Sequence, residues 1–295
     1  MGAPMAVNLA KRNPVLGFDS NESTRRRMQA EMQVVEHLTD VLSAQIILTM
    51  LPNTDSCLSA YLGDKGLLSE AKKDQLFIDC STIDPTASRR ISSECEKCNV
   101  KFIDAPVSGG TPGAKAATLT FMAGGSIEAL QQAEAILLQM GRRVFHVGPV
   151  GSGGAAKLCN NLMASINLVG TSEVMGLGMR LGLKPEVLLR VLNLSSGMNW
   201  ATESYCPIEG IVDGLPSSDN FEDGFACELM LKDINLAQKV AHEANAPLML
   251  GSITQSLYRL LCERGYSRKD SAIVSAFFTS GKFTSLGGPN SSAGK

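Results

Sequence analysis

Six short apolar runs, at 15–18, 44–50, 76–79, 101–103, 118–123 and 144–147, alternate with stretches of helical periodicity over the first half of the chain. Strands that alternate with helices predict a parallel sheet covered by helices on both faces. After Gly148-Pro-Val-Gly-Ser-Gly-Gly154 the pattern changes, and 155–182 keeps helical periodicity without a proline, roughly 42 Å of helix. Further helices are predicted at 185–194, 229–244, 247–265 and 271–278. The 295 residues are thus expected to form an α/β domain with a doubly wound sheet over 1–150, then an all-helical domain over 151–280. The tail 281–295, rich in Gly and Ser, is expected to be disordered.

Composition removes several classes of function. A formal net charge of -2 leaves no excess of cations to neutralise phosphates, so nucleic acid is not an expected partner. The cluster Arg25-Arg26-Arg27 reads as a solvated helix face. Apolar stretches such as 41–51 are interrupted by polar residues and fall short of the ~20 residues that span a bilayer, which predicts a soluble protein with no membrane partner. The 8 cysteines show no repeating spacing and read as reduced thiols in an intracellular compartment. Cys95-Glu-Lys-Cys98 lacks the second pair of a zinc site, and His37, His146 and His242 lie far apart, so no metal is expected.

The predicted strands end in clusters suited to ligand loops, as open α/β sheets require: Asp19-Ser20-Asn21, Leu51-Pro52-Asn53-Thr54, Cys80-Ser81-Thr82 and 104–110. Asp19 follows a strand and lies 17 residues after Gly2, the usual distance to an acid that binds the adenosine ribose; it could equally start a turn. No Arg follows that strand directly, which favours NAD over NADP, although Arg25 is near enough to reach. Asp104-Ala-Pro-Val-Ser108-Gly109-Gly110 places a hydroxyl and two flexible amides where they could surround a small carboxylate, or simply form a tight loop.

More specific is the glycine hinge that leads into the long helix and sets Lys157 and Asn161 four residues apart on one face. The flanking Ala155, Ala156, Leu158, Leu162 and Met163 leave little polar surface there. Burial of a lysine lowers its pKa and brings it into range for proton transfer near neutral pH. Lys232-Asp233, by contrast, reads as a surface pair.

These motifs, in this order, resemble the β-hydroxyacid dehydrogenase family, and most closely its 3-hydroxyisobutyrate dehydrogenase branch. The resemblance runs from residue 1 to about 280. It is carried by Phe102-Ile-Asp-Ala-Pro-Val-Ser-Gly-Gly110, Leu119-Thr-Phe-Met122, Ala155-Ala-Lys-Leu-Cys-Asn-Asn161, Arg180-Leu-Gly-Leu183, Leu192-Asn-Leu-Ser-Ser-Gly197 and Gly265-Tyr-Ser-Arg-Lys-Asp270. It implies a Rossmann-like fold and an NAD-dependent oxidation of 3-hydroxyisobutyrate to methylmalonate semialdehyde in valine catabolism. Lys157 would then be the catalytic base, and Ser108, Gly109, Gly110 and Asn161 would bind the small hydroxy acid. Gly2, Asp19, Leu51, Pro52, Ser56, Thr82 and Lys232 would bind NAD. The family also implies a homo-oligomer, dimer or tetramer, and a mitochondrial location; without a targeting segment the location would be cytoplasmic.

One departure stands out. The family opens with an apolar strand and a Gly-x-Gly turn, of which this sequence holds only the third glycine, Gly2. That first strand belongs in the middle of the sheet, so its absence predicts a sheet short of a central partner, a start that lies inside the family's pattern, and weak NAD binding or incomplete folding. A targeting segment would precede the same stretch. Rival readings are an NADPH-linked reductase of glyoxylate or succinic semialdehyde, and a non-catalytic relative that acts as an oligomerisation or regulatory module. A 6-phosphogluconate dehydrogenase would need a longer helical region and more basic residues.

Overall fold

Helix α1 (Gly2–Ala10) opens the chain, followed by β1 (Leu16–Gly17), α2 (Glu22–Met28) and β2 (Gln33–Val34). Next come β3 (Ile46–Thr49), α3 (Thr54–Leu62), β4 (Leu76–Asp79), α4 (Pro85–Lys97), β5 (Lys101–Asp104), β6 (Val107–Ser108), α5 (Gly110–Ala116), β7 (Leu119–Gly124), α6 (Ile127–Leu137) and β8 (Gly141–Gly148). The computed structural model describes residues 1–279, in two compact units, Met1–Lys157 and a second from Leu158 onward. The tail expected at 281–295 lies outside the described residues.

Local chemistry starts these helices where the sheet needs them. Asn53, Asp84 and Ser126 cap α3, α4 and α6 by accepting backbone N–H groups, and Pro85 occupies the first turn of α4, where its missing N–H costs nothing. Every residue of β4 is buried, as a strand covered on both faces demands. Successive residues point to opposite sides: Phe77 and Phe102 enter a core with Tyr61 and Ile91, while Ile78 and Ile103 enter another with Met5, Leu119, Phe121 and Leu137.

Strands β3, β4 and β5 pair in parallel, with Ile47 beside Phe77 and Phe77 beside Phe102. The rest of the sheet corrects the expectation of an all-parallel arrangement. Strand β7 runs antiparallel to both β5 and β6 and parallel to β8. The cause is the connection: α5 has 7 residues, too few for a parallel crossover of about a dozen or more. Strands β1 and β2 pair only with each other, and among the described residues no strand joins β1 to β3. Among the described residues the strands therefore form two separate sheets.

The second unit is helical. The long α7 (Ser152–Arg180) matches the predicted 155–182 closely, and α8 (Pro185–Asn193), α9 (Trp200–Glu203), α10 (Cys227–Glu243), α11 (Met249–Leu261) and α12 (Ala276–Thr279) follow. Leu168, Ile234, Tyr258, Leu261 and Val274 fill one core, and Met175, Leu189, Cys206 and Ile208 a smaller one. No helix among the described residues is long and apolar enough to cross a membrane.

Candidate active site

Strand β5 ends at Asp104, and the chain then turns through Pro106 into β6 and the pair Gly109-Gly110. Gly109 (φ +129°) and Gly110 (φ +62°) hold backbone conformations that side chains disfavour, so the sequence places its two glycines where this turn needs them. Ser108 is half-buried, and both glycines are exposed. Asp104 itself is buried. Its Oδ1 accepts the Gly151 N–H at 2.7 Å and its Oδ2 accepts the Gly154 N–H at 2.8 Å. Burial pushes its carboxyl up to about 6, against the pull of those two N–H groups, and the nearby Asp79 adds to the rise.

Helix α7 starts on that carboxylate, and Lys157 lies three residues beyond Gly154. The lysine is 8% exposed and Asn161, one turn further on, is 7% exposed, which agrees with the burial expected from their apolar flanks. In the second unit the Asn161 Nδ2 donates to Asp233 Oδ2 at 2.6 Å. The Lys232 ammonium stands 3.2 Å from Asp233 Oδ1. Asp233 is only 3% exposed, so the reading of Lys232-Asp233 as a surface pair is corrected. An adjacent pair of opposite charges gives no sign of burial in the sequence; the buried amide partner 72 positions away makes it tolerable.

At the ends of β3 and β4 a second buried network fixes two loops. Thr49 Oγ1 and Ser81 Oγ donate to Asp79 Oδ1 at 2.8 and 2.6 Å, and the Leu51 N–H donates to Ser81 Oγ at 2.8 Å. The Tyr61 hydroxyl lies 2.7 Å from Thr49 Oγ1. Burial raises the Asp79 carboxyl, and its Oδ2 has no hydrogen-bond partner. Thr49, Tyr61 and the role of Asp79 escaped the sequence reading, although an Asp that ends a wholly apolar run was a usable signal; Ser81 falls in the predicted loop cluster 80–82. These side chains hold Leu51 and Pro52 near Ser81 and Thr82, while Ser56 donates its N–H to the α3 cap Asn53 at 2.8 Å.

Asp19 is exposed just after β1 and accepts the Asn21 N–H at 2.8 Å. Arg25 is turned onto the backbone there, donating to the carbonyls of Asp19 at 2.7 Å and Ser20 at 3.3 Å. Gly2 begins α1 beside the end of β3, where a Cβ would lie 3.5 Å from that of Met50.

Residues 151–277 match the family model described as NAD-binding of NADP-dependent 3-hydroxyisobutyrate dehydrogenase, and residues 1–148 match that of the NAD binding domain of 6-phosphogluconate dehydrogenase. The mitochondrial 3-hydroxyisobutyrate dehydrogenase of Homo sapiens is 44% identical over 280 residues, 94% of this chain and 83% of the human protein. The chain belongs to the 3-hydroxyisobutyrate dehydrogenase family. The NAD-dependent L-serine dehydrogenase of Pseudomonas aeruginosa is 41% identical over 281 residues, 94% of each chain. Among solved structures, the Mycobacterium tuberculosis 3-hydroxyisobutyrate dehydrogenase with L-serine superposes at a TM-score of 0.89, with 34% identity over 94% of this chain and 95% of that one. This family member is accordingly an NAD-dependent dehydrogenase.

Its residues fit such a cofactor at several places. The exposed Asp19 carboxylate can accept from ribose hydroxyls, and the N-terminus of α1 lies at the carboxyl end of β3, where helix dipoles favour phosphate.

Proposed function

We propose that this dehydrogenase oxidises the primary hydroxyl of 3-hydroxyisobutyrate with NAD, giving methylmalonate semialdehyde in valine breakdown. The observation that carries the reading is the pair Lys157 and Asn161, both buried, one turn apart on α7, with the Asn161 amide held by a buried carboxylate. A buried amine flanked by apolar residues is suited to proton transfer.

In this reading Ser108, Gly109 and Gly110 surround the substrate carboxylate, and Asn161 donates to it. The amide presents its nitrogen to Asp233 Oδ2, and the second N–H of the same nitrogen serves the substrate. Lys157 Nζ, in its neutral form, takes the hydroxyl proton while the carbon gives up hydride. When bound, NAD supplies the hydride acceptor. Asp19 holds the ribose, Gly2 opens the helix that faces the pyrophosphate, and Leu51, Pro52, Ser56, Thr82 and Lys232 line the rest of the cofactor path.

Two details bear on the rivals. The Asp19 carboxylate repels a 2′-phosphate, and Arg25 is already engaged by two carbonyls, so NAD is favoured over NADP. L-serine is a second substrate candidate, because relatives of both kinds are similar, at 44% and 41% identity, and the two acids share a hydroxymethyl beside a carboxylate. Comparing kcat/KM for 3-hydroxyisobutyrate and L-serine, each with NAD and NADP, tests the reading. Faster turnover of the branched acid with NAD supports it; no NADH from either acid overturns it.

The same likeness supports a mitochondrial site of action. A homo-oligomer is supported by the exposed apolar side chains Leu177, Leu181, Val187, Val191 and Leu194 on and just after α7 and α8.

A further inference from the structure

Helix α7 lacks a cap of its own. Its N-cap position is Gly151, which has no side chain, yet the N–H groups at the start of a helix need acceptors. In ordinary helices the capping residue bonds the amide three residues on, and a later side chain bonds back to the cap amide. Here one carboxylate does both from another element. Asp104, at the end of β5, accepts from the cap amide of Gly151 and from the third helical amide, Gly154.

The fit around it is close. A Cβ on Gly124 would lie 2.5 Å from Asp104 Oδ1, and one on Gly153 would lie 2.8 Å from Asp104 Oδ2 and collide with the Met122 carbonyl. Strand β7 and the first turn of α7 therefore both press against the carboxylate. The segment that begins at Asp104 also carries Ser108, Gly109 and Gly110. A single side chain thus ties the proposed carboxylate loop to the first turn of the helix that carries Lys157.

We propose that Asp104 is a positioning residue of the dehydrogenase: it sets the height and rotation of the first turn of α7, and through it the place of the Lys157 amine relative to the loop 104–110. The inference rests on the function proposed above. Asparagine in its place can accept from one amide only, and its NH2 group faces the other. The first turn then shifts, and a misplacement of about 1 Å can cost roughly 100-fold in rate.

The test uses the full chain and two variants that disturb the contact from opposite sides, Asp104→Asn and Gly153→Ala. NAD binding is measured by calorimetry and kcat per NAD-binding site by NADH formation. Both variants are expected to keep the NAD Kd within about twofold while kcat falls ~10- to 100-fold. In a Lys157→Ala background, Asp104→Asn is expected to cause no further loss, because the two act as one unit. Unchanged kcat in both variants, or losses that simply add in the double variant, overturns the inference while the proposed function stands. Loss of NAD binding together with turnover makes Asp104 a structural residue and equally overturns it. A wild type that binds NAD but oxidises no 3-hydroxy acid overturns the proposed function.

Discussion

In the proposed mechanism, Lys157 is the side chain on which the chemistry turns. Replacing it with Ala removes the proton acceptor without touching Asp19 or the loops at the ends of β3 and β4, so kcat should drop by about 100- to 10,000-fold with little change in NAD binding. Rapid-quench or steady-state NADH formation reads this directly, and a variant with near-wild-type kcat would exclude Lys157 as the base. Asp104 makes a separate prediction about stability. Burial pushes its carboxyl up to about 6 in the fold, from an ordinary 3.8. The folded state therefore holds its proton longer, and the stability it contributes is present below 3.8 and is lost as pH rises through about 6. Relative to Asp104→Asn, the wild type should lose about 2 kcal/mol of unfolding free energy between pH 4 and pH 6.5. Urea titrations of both chains at the two pH values measure the difference, in which other titrating groups cancel; parallel curves would rule the shift out.

Helices and strands were legible in unequal measure. The long helix was readable to within three residues at its start because glycine hinge, periodicity and absence of proline all agree over many turns. Strands β2 and β6, two residues each, carry no pattern that periodicity can detect. The antiparallel course of β7 depends on how short α5 is, which a run of apolar residues does not report. At the candidate site, Lys157 and Asn161 could be found by their spacing and apolar flanks. The roles of Asp104 and Asp233 could not, because their hydrogen-bond partners come from distant parts of the sequence. Packing of α7 on α12 was equally hidden. A Cβ on Gly176 would come within 2.7 Å of the Phe278 carbonyl oxygen, so Gly176→Ala should destabilise the chain by about 1–3 kcal/mol. An unchanged urea midpoint would mean that α12 moves aside without penalty.

For the whole molecule, the exposed apolar side chains matter most. Leu181 is 71% and Leu194 82% exposed, and charge placed at such positions should split an assembly without disturbing either core. Light scattering of Leu181→Lys combined with Val191→Lys is expected to give a smaller mass than the wild type; equal masses would place any subunit contact elsewhere. The divided sheet has a different consequence. Strands β1 and β2 are held to each other by two-residue strands, whereas the amides of Cys80 and Ala105 are bonded inside the larger sheet. Deuterium should enter the Val35 amide, bonded to Gly17, well before those of Cys80 and Ala105, because short strands open locally while the central ones exchange only when the unit unfolds. Asp19 rides on the part that opens first and Lys157 on a helix pinned to the part that opens last. With Asp19 and Lys157 in the roles proposed above, mild denaturant should therefore loosen the grip on the adenosine end while the proton-transfer machinery is still folded, so that this enzyme fails first by letting go of its cofactor.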